Sequence, residues 1–211
     1  IDKPTVNTAI TFTKKLTYEI DIFYGTINDP FPSKAKTEKY DMLISYISPW
    51  IVPVSALDNT KRWNINFHPG PPEYPGIGCL NFAIFNSAKQ FGATAHVMKP
   101  KVDTGKIIGV NRFEMTEEET VELLSIKTYS SQLVLYKEIM TYIVTNDSLP
   151  EINENWKRKP FKRSELEQLA TINTNMNQEE IDKRIRATYY PGKPGPFIEH
   201  GGYRFEYNPD R

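Results

Sequence analysis

Asn66 and His68 stand two residues apart at the end of a short apolar run in WNINFHPGPPEYPGIGCLNF, residues 63–82, and a loop dense in proline and glycine follows at once. On extended chain, residues i and i+2 point to one face, so the amide and the imidazole would share a surface. A third ionisable group, Asp103, lies in the later loop KPKVDTG. An amide donor, an imidazole and a carboxylate, with no serine or cysteine in a nucleophile turn, suit a reaction whose substrate supplies its own nucleophile. The amide and a protonated His68 could hold a developing oxyanion, while Asp103 keeps the imidazole charged and relays the proton. Acyl transfer to an amine fits this set.

The same residues have plainer uses. An Asn at a strand end commonly satisfies loop backbone, and a His before Pro-Gly commonly serves the turn. His68, His96 and Asp103 could be gathered around a metal, although no ligand spacing supports it. Cys79 heads an apolar helix and reads as core. Spacing alone therefore leaves the function open.

The elements that must position these groups read as alternating strands and helices. KPTVNTAITFTKKL has helical spacing from Pro4, although ITFT fits a strand equally well. YEIDIFYG, DMLISYI and RWNINFH read as strands, the second as a strand covered on both faces. LNFAIFNSAKQFG reads as a helix ending at Gly92. ATAHVM and KIIGVNRF are strands around KPKVDTG. A long amphipathic helix follows, with Thr116 and Glu119 spaced for a capping box. This alternation predicts an α/β body with a mostly parallel sheet over residues 1–150. Residues 151–211 change texture: a basic link ENWKRKPFKR, short helices at SELEQLA and NQEEIDKRIRATYY, and a hairpin about Gly201-Gly202.

Bulk properties narrow the function classes. The chain has 211 residues, 26 Lys and Arg against 26 Asp and Glu, and 39% apolar residues, as in an ordinary globular protein. With no cationic excess, nucleic acid is a poor default partner. The single cysteine, Cys79, precludes an internal disulfide and suits the cytoplasm. No apolar run reaches the ~20 residues that span a bilayer, so no membrane role is expected.

Taken together, NFHPGPPEYPGIG and GATAHVMKPKVDTGKII resemble the 10-formyltetrahydrofolate-dependent formyltransferases: an Asn-x-His at a strand end, a Pro/Gly loop, and a strand leading into an Asp loop. The resemblance covers residues 40–115. Over 155–208, RKPF, IRATYYPGKPGPF and the closing hairpin are similar to the sugar N-formyltransferases. It implies a Rossmann-like formyltransferase fold with a small C-terminal helix and β-hairpin appendage. It also implies formyl transfer from 10-formyltetrahydrofolate, without a metal, to the amine of a dTDP- or UDP-linked amino sugar, for surface polysaccharide such as lipopolysaccharide O-antigen. Asn66, His68 and Asp103 would be catalytic. Trp50, Ile51 and Val52, with Met98, Lys99 and Pro100, would line the pterin slot, and Tyr74 and Tyr190 would contact the acceptor. The hairpin, with Tyr203, Phe205 and Tyr207, would pair two subunits. The resemblance further implies a strand ahead of the first helix, which this chain begins beside or inside. Against tRNA as acceptor stands the expectation that a methionyl-tRNA formyltransferase continues into a basic β-barrel, whereas some sixty residues here read as helices and a hairpin. A peptide-synthetase formylation domain, a formyl hydrolase and a non-catalytic binding or dimerisation module are the other readings.

Overall fold

A computed structural model describes residues 4–17 and 19–209. In chain order the elements are α1 (Pro4–Leu16), α2 (Ser33–Thr37), β1 (Tyr40–Tyr46), α3 (Val54–Asp58), β2 (Thr60–His68), α4 (Cys79–Phe85), β3 (Gln90–Val97) and β4 (Ile107–Glu114). Then follow α5 (Val121–Asn146), α6 (Arg163–Ala170), α7 (Gln178–Thr188), β5 (Phe197–His200) and β6 (Tyr203–Glu206).

The fold is α/β, but its four-stranded sheet, ordered β1-β2-β3-β4, is mixed rather than mostly parallel. β1 and β2 run parallel, while β2–β3 and β3–β4 are antiparallel. Connection length explains part of this. Residues 98–106 join β3 to β4, too short a link for the dozen or more residues that a parallel crossover needs.

Alternation along β2 decides which side chains enter the core. Trp63, Ile65 and Phe67 face an apolar cluster built with Ala9 and Phe12 of α1, Ala93 and Ala95 of β3, and Leu135, Tyr136, Ile139 and Met140 of α5. The even positions Asn64, Asn66 and His68 therefore face the other way. Gln132 of α5, fully buried, spans the core to donate its amide to Phe67 O at 2.5 Å. A second cluster joins Cys79 and Ala83 of α4, Phe91 of β3, Leu124 of α5 and Ala187 of α7. Phe82 stacks on Phe161 at 3.7 Å between centroids, so the segment after residue 150 is packed directly on α4.

Several local expectations change. YEIDIFYG makes no strand over its described residues 19–25. Pairing, not propensity, makes a strand. Side chains hold this segment instead: Asp21 meets Tyr40 at 2.7 Å and Lys34 at 2.9 Å. The helix α4 stops at Phe85, where Asn86 and a left-handed Ser87 (φ 50°) turn the chain. Gly92 is inside β3, and a Cβ there would lie 2.0 Å from Asn111 O. The helix α5 starts from Thr120, whose hydroxyl accepts from Leu123 N at 3.2 Å, four residues beyond Thr116. In the C-terminal part, α6, α7 and the hairpin form as expected, with Asn177 capping α7.

Candidate active site

The parallel strands β1 and β2 end side by side, Tyr46 opposite Phe67, so the loops that follow them share one edge of the sheet. Ligands of open α/β sheets gather beyond such carboxyl ends. Here Asn66 and His68 emerge on one face, Asn66 half-buried and His68 only 5% exposed. β3 runs antiparallel to β2 with His96 directly opposite Asn66. Direct cross-strand partners share a face. The pairing thus adds a second imidazole, 2% exposed.

The loop after β3 turns Asp103 back onto both rings. Asp103 takes a left-handed conformation (φ 47°), which Asp tolerates better than most residues. Its Oδ1 lies 3.1 Å from His96 Nε2, and its Oδ2 lies 3.3 Å from His68 Nδ1. Oδ2 also accepts from the backbone N–H of Gly76 at 2.8 Å. Burial by itself would raise the Asp103 pKa. The His68 charge, the His96 hydrogen bond and charge and the Gly76 N–H outweigh it and hold the carboxyl lowered to about 2. Asp103 is a fixed anion between two imidazoles.

A proton count shows what the cluster can do. His96 Nδ1 faces its neighbour's carbonyl, Val97 O, at 3.0 Å, so Nδ1 carries a proton and donates. Its Nε2 lies 3.1 Å from both Asp103 Oδ1 and Asn66 Nδ2. A protonated Nε2 donates to Asp103 and releases Asn66. A bare Nε2 accepts from Asn66, whose amide retains a second N–H. His68 has both nitrogens engaged, Nδ1 with Asp103 and Nε2 with Tyr74 O at 3.0 Å. The Pro-Gly loop is thus a scaffold whose backbone meets the imidazole at Tyr74 and the carboxylate at Gly76. Thr94 fixes its start by donating to Gly70 O at 2.8 Å.

The three residues expected to be catalytic are therefore together, and His96 joins them. The sequence brings in His96 only within a conceivable metal trio that no ligand spacing supports; its place opposite Asn66 is set by strand register. Trp156, from the basic link, also reaches the cluster, edge-on to His96 at 5.1 Å and to His68 at 6.0 Å. Among the described residues, no group of three or more His, Cys, Asp or Glu side chains is placed to hold a metal ion.

The residues expected to line a pterin slot flank this edge. Trp50 packs beside Phe31 at 5.9 Å and donates from Nε1 to Asp29 O at 2.9 Å, while Ile51 is 73% exposed. Val52 is half-buried on the same loop. Met98 N donates to Asn64 O at 2.7 Å, extending the sheet pairing, and Pro100 is exposed on the way to Asp103. Lys99 and Trp156 line a cavity of about 360 Å³ with Thr104 and Gly105. The two tyrosines expected at the acceptor are used in packing. Tyr74 lies against Phe91 and Phe161, and Tyr190 against the Cys79–Ala187 cluster. The carbonyl of Tyr74 meets His68.

Comparison with known proteins identifies the family. Residues 32–139, about half of the chain, match the formyl transferase family. GDP-perosamine N-formyltransferase of Brucella melitensis is 25% identical over 167 residues, covering 77% of this chain and 62% of that protein. Methionyl-tRNA formyltransferase of Clostridium beijerinckii is 32% identical over 157 residues, covering 72% of this chain and 49% of that protein. The chain thus spans 62% of the length of the first of these relatives and 49% of the second. A sugar N-formyltransferase structure from Shewanella sp FDAARGOS_354 superposes with a TM-score of 0.78 at 19% identity, over 97% of this chain and 91% of that one. An N-formyltransferase of Helicobacter canadensis, in complex with folinic acid and dTDP-3-aminofucose, gives a TM-score of 0.63 at 23% identity, over 80% of this chain and 62% of that one. By its sequence match over the segment that carries β1 to β4, Asn66, His68, His96 and Asp103, this chain belongs to the formyl transferase family.

Proposed function

We propose that the chain acts as a sugar N-formyltransferase, moving a formyl group from 10-formyltetrahydrofolate to the primary amine of a nucleotide-linked amino sugar. The observation that carries this reading is the convergence of Asn66, His68 and Asp103 at one sheet edge, with no side-chain nucleophile among them. The amine's lone pair attacks the formyl carbon, and the carbonyl electron pair moves onto oxygen. The spare Asn66 N–H holds that oxygen, and His68 Nε2–H reaches it by exchanging Tyr74 O for it. Collapse breaks the bond to the folate nitrogen. One proton leaves the amine and one arrives on that nitrogen, passed through the imidazoles that Asp103 keeps in place.

The relatives support the acceptor class: one is named for GDP-perosamine, and one was solved with a dTDP-linked aminofucose. The expected dTDP or UDP handle therefore widens to include GDP. The same reading gives the chain a cytoplasmic setting and a place in surface-polysaccharide synthesis. Residues 1–150 act as the catalytic body and residues 151–211 as an appendage whose hairpin pairs two copies. Among the described residues no helix is long and apolar enough to cross a membrane. The methionyl-tRNA relative keeps a second acceptor in view.

The test incubates the protein and 10-formyltetrahydrofolate with a panel of dTDP-, UDP- and GDP-linked amino sugars and reads the mass of one added formyl group. Formylation of a sugar amine, dependent on the folate, is expected. Transfer to methionyl-tRNA alone, or formate release with no acceptor, would overturn the sugar reading.

A further inference from the structure

The site's walls are not all supplied by the matched segment. Residues 152–161 cross back over the Pro-Gly loop as a strap. Lys157 N donates to Pro72 O at 3.0 Å, Phe161 N donates to Pro75 O at 2.9 Å, and Ile77 N donates back to Phe161 O at 3.2 Å. Arg112 adds an ionic clasp, reaching Glu154 on the strap at 2.7 Å and Glu73 on the loop at 3.1 Å. Between these ties the strap delivers Trp156.

The indole touches the cluster without joining its proton network. Its ring meets His96 at an interplanar angle of 81° and His68 at 70°. Both are the edge-on arrangement that aromatic pairs favour. The indole Nε1 donates to Gly105 O at 2.9 Å, two residues past Asp103. A Cβ at Gly105 would lie 1.7 Å from Val97 O, so the glycine lets the end of the Asp103 loop lie close against that carbonyl. Val97 O is the carbonyl that fixes His96 Nδ1. One indole thus contacts both imidazole rings and the end of the Asp103 loop.

We propose that Trp156 is a positioning residue for the His68–Asp103–His96 cluster: its ring holds the two imidazoles at the angles from which they share one carboxylate. The strap links this ring to the Tyr74 carbonyl and the Gly76 N–H, so loop, imidazoles and carboxylate are set as one unit. The two rings it touches share the Asp103 carboxylate, and His96 Nε2 also lies 3.1 Å from the neutral Asn66 amide.

The experiment compares Trp156→Ala and Trp156→Phe with the unaltered protein in two readouts, of which only the kinetic one rests on the formyl-transfer reading. In NMR, the ring-proton resonances of His68 and His96 should move in both variants, while His200, exposed on the hairpin, stays in place as an internal control. In formyl transfer, Trp156→Ala should lower kcat about tenfold to a hundredfold, the scale expected for misplaced catalytic groups. KM for both substrates should stay within about twofold, and Trp156→Phe should recover most of kcat. Unmoved His68 and His96 resonances would overturn the proposal, and so would kcat retained in Trp156→Ala or a rise in KM alone. A Phe variant as impaired as the Ala variant would also overturn it, because the ring would then not be the working part. If Trp156→Ala does not fold, the Phe variant's resonances and kcat decide. If the unaltered protein transfers no formyl group to any acceptor, the functional reading fails, and the resonances still judge Trp156.

Discussion

Two regions of the molecule treat exposed and buried groups in opposite ways. In the crevice, charged and polar side chains are almost wholly buried, His68 at 5%, His96 at 2% and Asp103 at 3% exposure, and partners for them come from within the chain. In the hairpin, apolar groups face outward. Ile198 pairs with Phe205 and His200 with Tyr203, so these four share a face, on which Tyr203 is 72% and Phe205 59% exposed. The opposite face is tied down: Phe197 is buried under the Arg204 guanidinium, 3.5 Å from its ring centroid, and its carbonyl accepts from Ile172 N at 2.8 Å. The crevice pairs its buried charge within the chain, because a buried charge without its partner would be too costly to keep. The hairpin is complete in geometry only. Gly201 and Gly202, both in the left-handed region, close its turn. A two-stranded ribbon with a bare apolar face is nevertheless marginal until something covers it.

The largest effect should come from removing the charge that the crevice is built around. Asp103→Asn leaves two buried imidazoles without their anion. Loss of one partner of a buried pair costs about 3–5 kcal/mol, and the lower end applies because an imidazole can shed its proton. A urea midpoint well below that of the unaltered protein, together with loss of turnover, is the expected outcome. An unchanged midpoint would mean that the carboxylate is not what holds the rings, and the contrast with the hairpin would fail at its first point.

Asn66→Ala should divide chemistry from stability. The side chain is half-buried and touches His96 through one N–H. Its removal should lower turnover by about a hundredfold to a thousandfold, the penalty for one lost oxyanion donor, with little change in the unfolding midpoint. Turnover undiminished in the Ala variant removes Asn66 from the mechanism.

Acid should expose the same charge without mutation. Asp103 ionises at about 2 in the folded protein against an ordinary 3.8. Its stabilisation is therefore fully present above about pH 4 and is lost as pH falls through about 2. A displacement of this size corresponds to about 2 kcal/mol. Unfolding free energy followed down through this window should fall more steeply in the unaltered protein than in Asp103→Asn, and parallel curves would contradict the assignment.

The sequence made one half of the crevice legible and hid the other half. Asn66 and His68 could be placed together because alternation along a strand is local, and the Gly201-Gly202 turn was legible for the same reason. His96 became a neighbour of Asn66 only through the β2–β3 register, which no short stretch of residues specifies. Trp156 was less visible still, one of two aromatics in a basic run without periodicity, brought in by backbone bonds to Pro72 and Pro75. The mostly parallel sheet was expected from alternating elements, and the short 98–106 link overrode that pattern. Tyr74 shows the limit from the other side: its type and place in the loop do not say that its carbonyl meets His68 while its ring packs near Phe91.

The smallest effect on stability should come from the hairpin, and there it is the most informative. Phe205→Ser removes an apolar ring that is 59% exposed and pairs only with Ile198 across the ribbon. In a single chain such a surface change is worth within about 0.5 kcal/mol. If two copies bury this face against each other, the same substitution removes a central aromatic from the interface, where one truncation can cost about 2 kcal/mol or more. Sedimentation should then show the unaltered protein at twice the chain mass and Phe205→Ser at the chain mass, with kcat per chain retained because the crevice draws on none of these residues. An unaltered protein that sediments at the chain mass would leave the apolar face without its proposed cover. A variant that loses mass and activity together would show that the two regions are coupled.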